Sequence, residues 1–189
     1  MKYDGEYPAL VVSVGTDHHK FDRLIDWVED WLDSRTDHPT CLIQHGASKA
    51  PELARGVLRM PREDLLQLYA SAKIVLVQGG PGSILDARSV GHLPIAVPRL
   101  PRLNEVVDGH QVAFTRTMAS HGEAIAAESE EELMRALNLA MSHPESMRTA
   151  PRLSTPAASA NLLGAAIAGL DHPADHMALR RMRQLLAHH

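Results

Sequence analysis

Two polar stretches hold the side chains best suited to chemistry. In VLVQGGPGSILDA (75–87) an apolar run ends in Gly79-Gly80-Pro81-Gly82-Ser83 and gives way to a helical pattern. Glycines let backbone approach a ligand closely. N–H groups at the start of a helix, together with its dipole, favour a diphosphate. The turn is therefore expected to cradle phosphate, against the alternative of a tight turn with no ligand. It is not a P-loop, because no Gly-Lys-Ser/Thr follows, and it is not a clean G-x-G-x-x-G. Asp86 follows Ser83 by roughly one helical turn, where a carboxylate can accept hydrogen bonds from ribose hydroxyls; the plainer role is an acid that complements the helix dipole. The second stretch, NEVVDGHQVAF (104–114), gathers Glu105, Asp108, His110 and Gln111. Such a cluster suits sugar hydroxyls, or else forms a solvated loop leading into a helix.

Positioning these groups requires a sheet. ALVVSV (9–14), PTCLIQH (39–45), KIVLV (73–77), PIAVP (94–98) and EAIAA (123–127) read as strands, being short apolar runs rich in β-branched residues. Between them, 21–34 places Leu24, Ile25, Val28, Trp31 and Leu32 on one helical stripe. The stretch 61–72 opens with Pro61 at an expected first helical position, and 83–90 and 130–141 are helical in pattern. Nearly continuous apolar strands alternating with helices imply a doubly wound, Rossmann-like α/β fold with a parallel sheet covered on both faces. In such folds ligands bind at the carboxyl edge of the sheet, where the glycine turn falls. The domain is expected to span 1–150, followed by a helical extension over 151–189. Two amphipathic helices at 161–170 and 176–187 would pack back on the sheet or dock a partner through Met177, Leu179, Met182, Leu185 and Leu186.

Composition narrows the function classes. A chain of 189 residues that is 44% hydrophobic supports one well-buried core and is short for two. A net charge of −4 argues against a broad surface for nucleic acid. The single cysteine, Cys41, sits in an apolar run and suits a reducing compartment. The sequence lacks a secretory h-region and the ~20-residue apolar stretch of a membrane helix, so a cytoplasmic location is expected. Twelve histidines invite a metal reading. His172 and His176 have i, i+4 spacing, but Pro173 interrupts them and no third ligand is evident. No metal site and no cofactor are expected. Ser83 lacks the G-x-S-x-G elbow of a nucleophilic serine.

The stretches VVSVGTDHHKFDRLIDWVEDWL (11–32), VQGGPGSILDA (77–87) and VPRLPRLNEVVDGHQVAF (97–114) resemble, in order, the C-terminal domain of glycosyltransferase family 28. Within it, the chain is most similar to the single-domain subunits of two-component glycosyltransferases of bacterial exopolysaccharide and capsule synthesis. Those subunits are similar to the catalytic subunit of the eukaryotic dolichol-linked UDP-GlcNAc transferase. The resemblance covers roughly residues 9–142 and implies the nucleotide-sugar half of a GT-B enzyme. It places Gly15 and Thr16 in a first glycine loop beside the diphosphate, and Gly80, Gly82 and Ser83 in a second. Asp86 falls where relatives usually carry Glu for the ribose. Glu105, Asp108, His110 and Gln111 match an E-x-V-D-x-H-Q stretch whose His-Gln end is associated with the donor sugar. Two positions depart: Gln78 stands where relatives usually show His, and Gly15-Thr16-Asp17-His18-His19 where bacterial subunits commonly read G-T-H-E-Q.

The expected activity is inverting transfer of a hexose-type sugar from a UDP-sugar donor to a lipid-linked saccharide acceptor. Loop amides rather than a metal would stabilise the departing diphosphate. His18, a loop imidazole flanked by Asp17 and His19, is the local candidate for the base that deprotonates the acceptor; its alternatives are a surface or helix-capping histidine. A membrane-anchored acceptor-binding subunit is the expected partner, bringing the chain to the membrane peripherally; a homodimer is a further possibility. The different-class alternative is a non-catalytic nucleotide-sugar-binding regulatory module, which the departures at Asp17-His18-His19 and Gln78 permit. A dinucleotide-dependent oxidoreductase would need a glycine fingerprint after its first strand, and none is present.

Overall fold

A computed structural model describes residues 7–152. Among them, six parallel strands form one sheet: β1 (Leu10–Ser13), β2 (Cys41–Gln44), β3 (Arg55–Val57), β4 (Ile74–Gln78), β5 (Ile95–Val97) and β6 (Ile125–Ala126). Their order is β3-β2-β1-β4-β5-β6. The chain winds outward one way from β1 and the other way from β4, which pair directly with Ser13 opposite Val77. That reversal is the switch point at which doubly wound sheets bind ligands. The expected Rossmann-like α/β fold is therefore the one observed.

Among the described residues, five α-helices cover the sheet: α1 (Asp22–Asp33), α2 (Arg62–Ser71), α3 (Pro81–Ser89), α4 (His110–Ser120) and α5 (Glu130–Ser142). Strand side chains alternate between two cores. Leu10, Val12, Ile43, Ile74, Leu76, Ile95 and Val97 face α1 and α5; Val11, Leu42, Val75, Val77 and Ala96 face α2, α3 and α4. The predicted α1 stripe of Leu24, Ile25, Val28, Trp31 and Leu32 is the buried face of that helix. Cys41 is a free, buried thiol, and burial pushes its pKa up. No helix among the described residues is long and apolar enough to cross a membrane.

Several boundaries differ from the sequence reading. Pro61 is the N-cap of α2 rather than its first helical residue. Helix α3 begins at Pro81, whose fixed φ suits the first helical position. Strand β3 was not expected, because Arg55-Gly56-Val57 has no apolar run, and its partly exposed edge position requires none. Strand β6 keeps only two of its five expected residues. The two helices expected at 161–170 and 176–187 lie outside the described residues.

Beyond α5, the chain is stitched to the end of the sheet opposite the glycine turns. Arg148 donates to the carbonyls of Ala70 and Ala72, and His92 pairs with Arg148 in an isolated bridge. Thr149 N–H donates to Gly91 O, and Arg152 N–H to Arg88 O. Arg88 is itself buried in an ion pair with Glu123 at 2.8 Å.

His92 is fully buried, with Nε2 against Ala72 O at 3.1 Å. Burial, reinforced by the neighbouring Arg148 charge, pushes its pKa down to about 4. The unfolded chain, with an ordinary histidine pKa near 6.5, binds this proton more readily than the folded one. Stability from this group is thus complete above about pH 6.5 and is lost as pH falls toward 4. Urea titrations at stepped pH should show wild type losing stability relative to His92→Gln across that window, with a slope of at most about 1.4 kcal/mol per pH unit. A pH-independent difference would contradict the burial account.

Candidate functional site

The carboxyl ends of β1 and β4 bring the two glycine turns side by side. Gly15 has φ +85° and lies so close to Gln78 that a Cβ would stand 3.3 Å from that side chain. Gln78, the last residue of β4, folds over the second turn: Oε1 accepts from Gly80 N–H at 2.9 Å and Nε2 donates to Ser83 Oγ at 3.2 Å. It ties the second turn and stands against the first, which gives the departure at position 78 a structural role. Gly46 supports the first turn from the loop after β2, with φ +55° and room for no Cβ, which would sit 2.8 Å from Gly15 O. Thr16 O accepts from Arg59 Nη2 at 3.1 Å, bringing an exposed cation to the rim.

Helix α3 starts immediately beyond, with Gly80 as N-cap and no side-chain cap. Pro81 has no N–H, so the first-turn donors are those of Gly82 and Ser83, which have no acceptor within the helix. Nothing lies within 4 Å of the Cβ position of Gly82. An uncapped helix N-terminus facing open space is a fitting receptor for an oxyanion. Asp86, one turn in, faces α2: Arg62 Nε and Nη2 reach Oδ1 at 3.0 and 2.6 Å. Arg62 is 66% exposed, and an exposed ion pair contributes about 0–1 kcal/mol, so a ribose hydroxyl can compete for this carboxylate.

The other wall hangs on a buried arginine. Arg99, which follows β5 and is 1% exposed, donates from Nη2 to Val14 O at 2.7 Å. Its Nη1 donates to His19 O and Glu105 O, both at 2.8 Å. Its guanidinium also lies 4.8 Å from the Phe21 ring centroid. One side chain thereby joins the loop after β1 to the loop after β5. Burial pulls its pKa down, while Asp17 and Glu105 pull it back up.

Glu105 is tied into the same wall. Its carboxylate accepts from Arg23 Nε and Nη2, both at 2.8 Å, and from Leu100 N–H at 2.8 Å. It is a buried group that holds the loop, and it also borders the cleft described below. Arg23 in turn stacks over Trp27, 4.5 Å from its ring centroid, and donates to Pro98 O.

The remaining polar cluster opens α4, with His110 and Gln111 in its first turn. Asp108 Oδ1 accepts from His110 N–H at 3.1 Å and lies 2.5 Å from His110 Nδ1. Gln111 Oε1 accepts from Arg99 N–H at 3.2 Å, which leaves Nε2 as the amide's hydrogen-bond donor. The structure places these three at the carboxyl edge with the glycine turns.

The loop after β1 also carries Asp17, His18 and His19. His18 is 84% exposed, with Nδ1 3.5 Å from Asp17 Oδ1. His19 is mostly buried, with Nδ1 2.6 Å from the same oxygen. Partial burial pushes the Asp17 carboxyl up, but the His19 backbone and ring bonds outweigh it and hold the pKa below the ordinary value. His18, His19, Lys20, Asp22, Arg23, Leu103, Asn104 and Glu105 line a cleft of about 790 Å³.

Sequence reasoning missed Arg99, Arg23, Arg59 and Gly46. The three arginines sit at no diagnostic spacing, and Gly46 lies in an unremarked loop. Removing Arg99 strands three carbonyls, each costing about 1–3 kcal/mol when buried and unpaired. Arg99→Met should lower the unfolding free energy by roughly 3 kcal/mol or more, read from urea midpoints at constant m. A loss under about 0.5 kcal/mol, the level of an ordinary surface change, would show that Arg99 is not the tie between the loops.

No curated protein sequence matches the chain. Residues 9–162 match the model of the glycosyltransferase family 28 C-terminal domain, a span that includes the whole sheet, both glycine turns and the cluster at the start of α4. A parallel Rossmann-like sheet with an open helix N-terminus at its switch point is the architecture of a glycosyltransferase donor-binding domain, and the chain belongs to the glycosyltransferase family 28 C-terminal domain family.

Proposed function

We propose that this domain binds a UDP-sugar across the β1/β4 switch point and acts as the donor half of an inverting transferase acting on a lipid-linked saccharide. The observation that carries the reading is the uncapped start of α3, with Gly82 in open space beside the Gly15–Thr16 turn. In this reading Gly15, Thr16, Gly80, Gly82 and Ser83 surround the diphosphate, and Asp86 exchanges Arg62 for the ribose. Asp108, His110 and Gln111 meet the sugar, with Gln111 Nε2 as a donor to a hydroxyl.

Displacement at the anomeric carbon breaks its bond to the diphosphate oxygen and leaves negative charge there. Preorganised N–H groups at a helix N-terminus stabilise that charge without reorganising. The acceptor hydroxyl loses its proton to a base as the new bond forms, and in this reading His18 takes it; the exposure of His18 and the Asp17 carboxylate beside its Nδ1 support that role. Orienting the acceptor is the task of a second, membrane-anchored subunit, because proximity supplies much of the rate in a two-substrate reaction.

Calorimetric titration tests this directly. UDP and UDP-sugars should bind in the absence of divalent metal. Gly82→Val should weaken UDP roughly tenfold or more by filling the approach to the α3 amides, while the protein stays folded because its Cβ meets nothing. Gln111→Ala should weaken the UDP-sugar and spare UDP. Unchanged UDP affinity in folded Gly82→Val would remove the turn from the site. Donor binding without transfer in the presence of membranes holding the partner would favour the non-catalytic module.

A further inference from the structure

We propose that Asp17, His18 and His19 form a binding site for a borderline divalent transition-metal ion such as Zn²⁺, with an open coordination position on the side of the cleft. The ligand atoms Asp17 Oδ1, His18 Nδ1 and His19 Nδ1 all lie within 4.8 Å of one another. The two imidazole nitrogens stand 3.5 and 2.6 Å from the shared carboxylate oxygen. Ligands bound to one tetrahedral zinc at about 2.0–2.1 Å are roughly 3.3 Å apart, so small side-chain rotations admit the ion. The existing Asp17–His19 contact would be replaced by two metal bonds.

The donor set selects the ion. Two imidazoles and one carboxylate suit zinc, copper or nickel, whereas magnesium and calcium prefer oxygen ligands throughout. Three protein ligands on a single tight turn leave a fourth position for water or an oxygen anion. His18 and His19 line the cleft, so an oxygen-bearing ligand held there can reach that position.

The surroundings provide the supporting bonds that metal ligands usually have. His19 N–H donates to Asp17 Oδ1 at 2.8 Å, and His19 O is fixed by the buried Arg99. The backbone of the turn is thus anchored to the core, while the exposed His18 gives the ion an entry path. This site is separate from the α3 amides, and the inference does not depend on the identity of the donor; it is an alternative to His18 acting as the base, because an imidazole nitrogen bound to an ion has no lone pair left to take a proton.

The test is titration of the full-length chain with Co²⁺, followed by visible d–d absorption, and then displacement by Zn²⁺. Calorimetry with Zn²⁺ and Mg²⁺ accompanies it, and circular dichroism verifies folding. One equivalent of Zn²⁺ should bind more tightly than the rest. Asp17→Asn and His19→Asn should each weaken it roughly tenfold or more, and His121→Asn, an exposed histidine outside the loop, should leave it unchanged. Equal Zn²⁺ affinity and stoichiometry in wild type, Asp17→Asn and His19→Asn would overturn the proposal, as would Mg²⁺ binding as tightly as Zn²⁺. A parallel UDP titration without metal reports on donor binding alone, so failure of one reading is distinguishable from failure of the other.

Discussion

The buried guanidinium of Arg99 is the constraint on which the site depends. Loops at the carboxyl edge of a parallel sheet have no ladder to hold them, and their carbonyls must find donors elsewhere. Arg99 supplies those donors to Val14, His19 and Glu105 at once, while its own N–H is received by Gln111. The loop after β1, the loop after β5 and the start of α4 are consequently one unit. A planar group with a fixed fork of donors can do this where a lysine cannot. The pair between buried Glu105 and partly buried Arg23 continues the same network into α1, so that both charges are matched and the desolvation cost is offset by hydrogen bonds.

That unit forms one wall and Gln78 clips the other. Its amide bonds Gly80 and Ser83 and stands against Gly15. A neutral amide here adds no charge to the turn, so the positive potential beside it comes from the helix N-terminus and from the exposed Arg59 held at Thr16. Rigid walls with open amides between them fit a receptor whose dipoles are set before the ligand arrives.

The sequence made much of this legible, for identifiable reasons. Apolar runs of alternating environment placed β1, β2, β4 and β5, and the 3.6-residue stripe placed α1 with its buried residues. The glycine turn after β4 was placed at the carboxyl edge by its position between strand and helix, while the turn at Gly15 came from the family resemblance and the switch point itself needed the strand order. Strand β3 was hidden because an exposed edge strand such as Arg55-Gly56-Val57 needs no apolar pattern. The roles of Arg99, Arg23 and Glu105 were hidden because they arise from contacts 75 to 85 residues apart in the chain, and local spacing carries no trace of those. The Arg23 partner of Glu105 was invisible for the same reason. Asp17 and His19 were noted as neighbours of His18, but their convergence as ligands depends on side-chain rotamers that the sequence does not specify.

The central claim is that backbone amides at the switch point receive the diphosphate of a nucleotide donor. Amide ¹H–¹⁵N spectra of the chain, recorded as UDP is added without metal, test it most directly. The account predicts that the largest shifts fall on Gly15, Thr16, Gly80, Gly82 and Ser83, with smaller ones at Gln111 and the start of α4. Shifts absent from the Gly80–Ser83 amides, or concentrated at the opposite end of the sheet around His92 and Arg148, would contradict it.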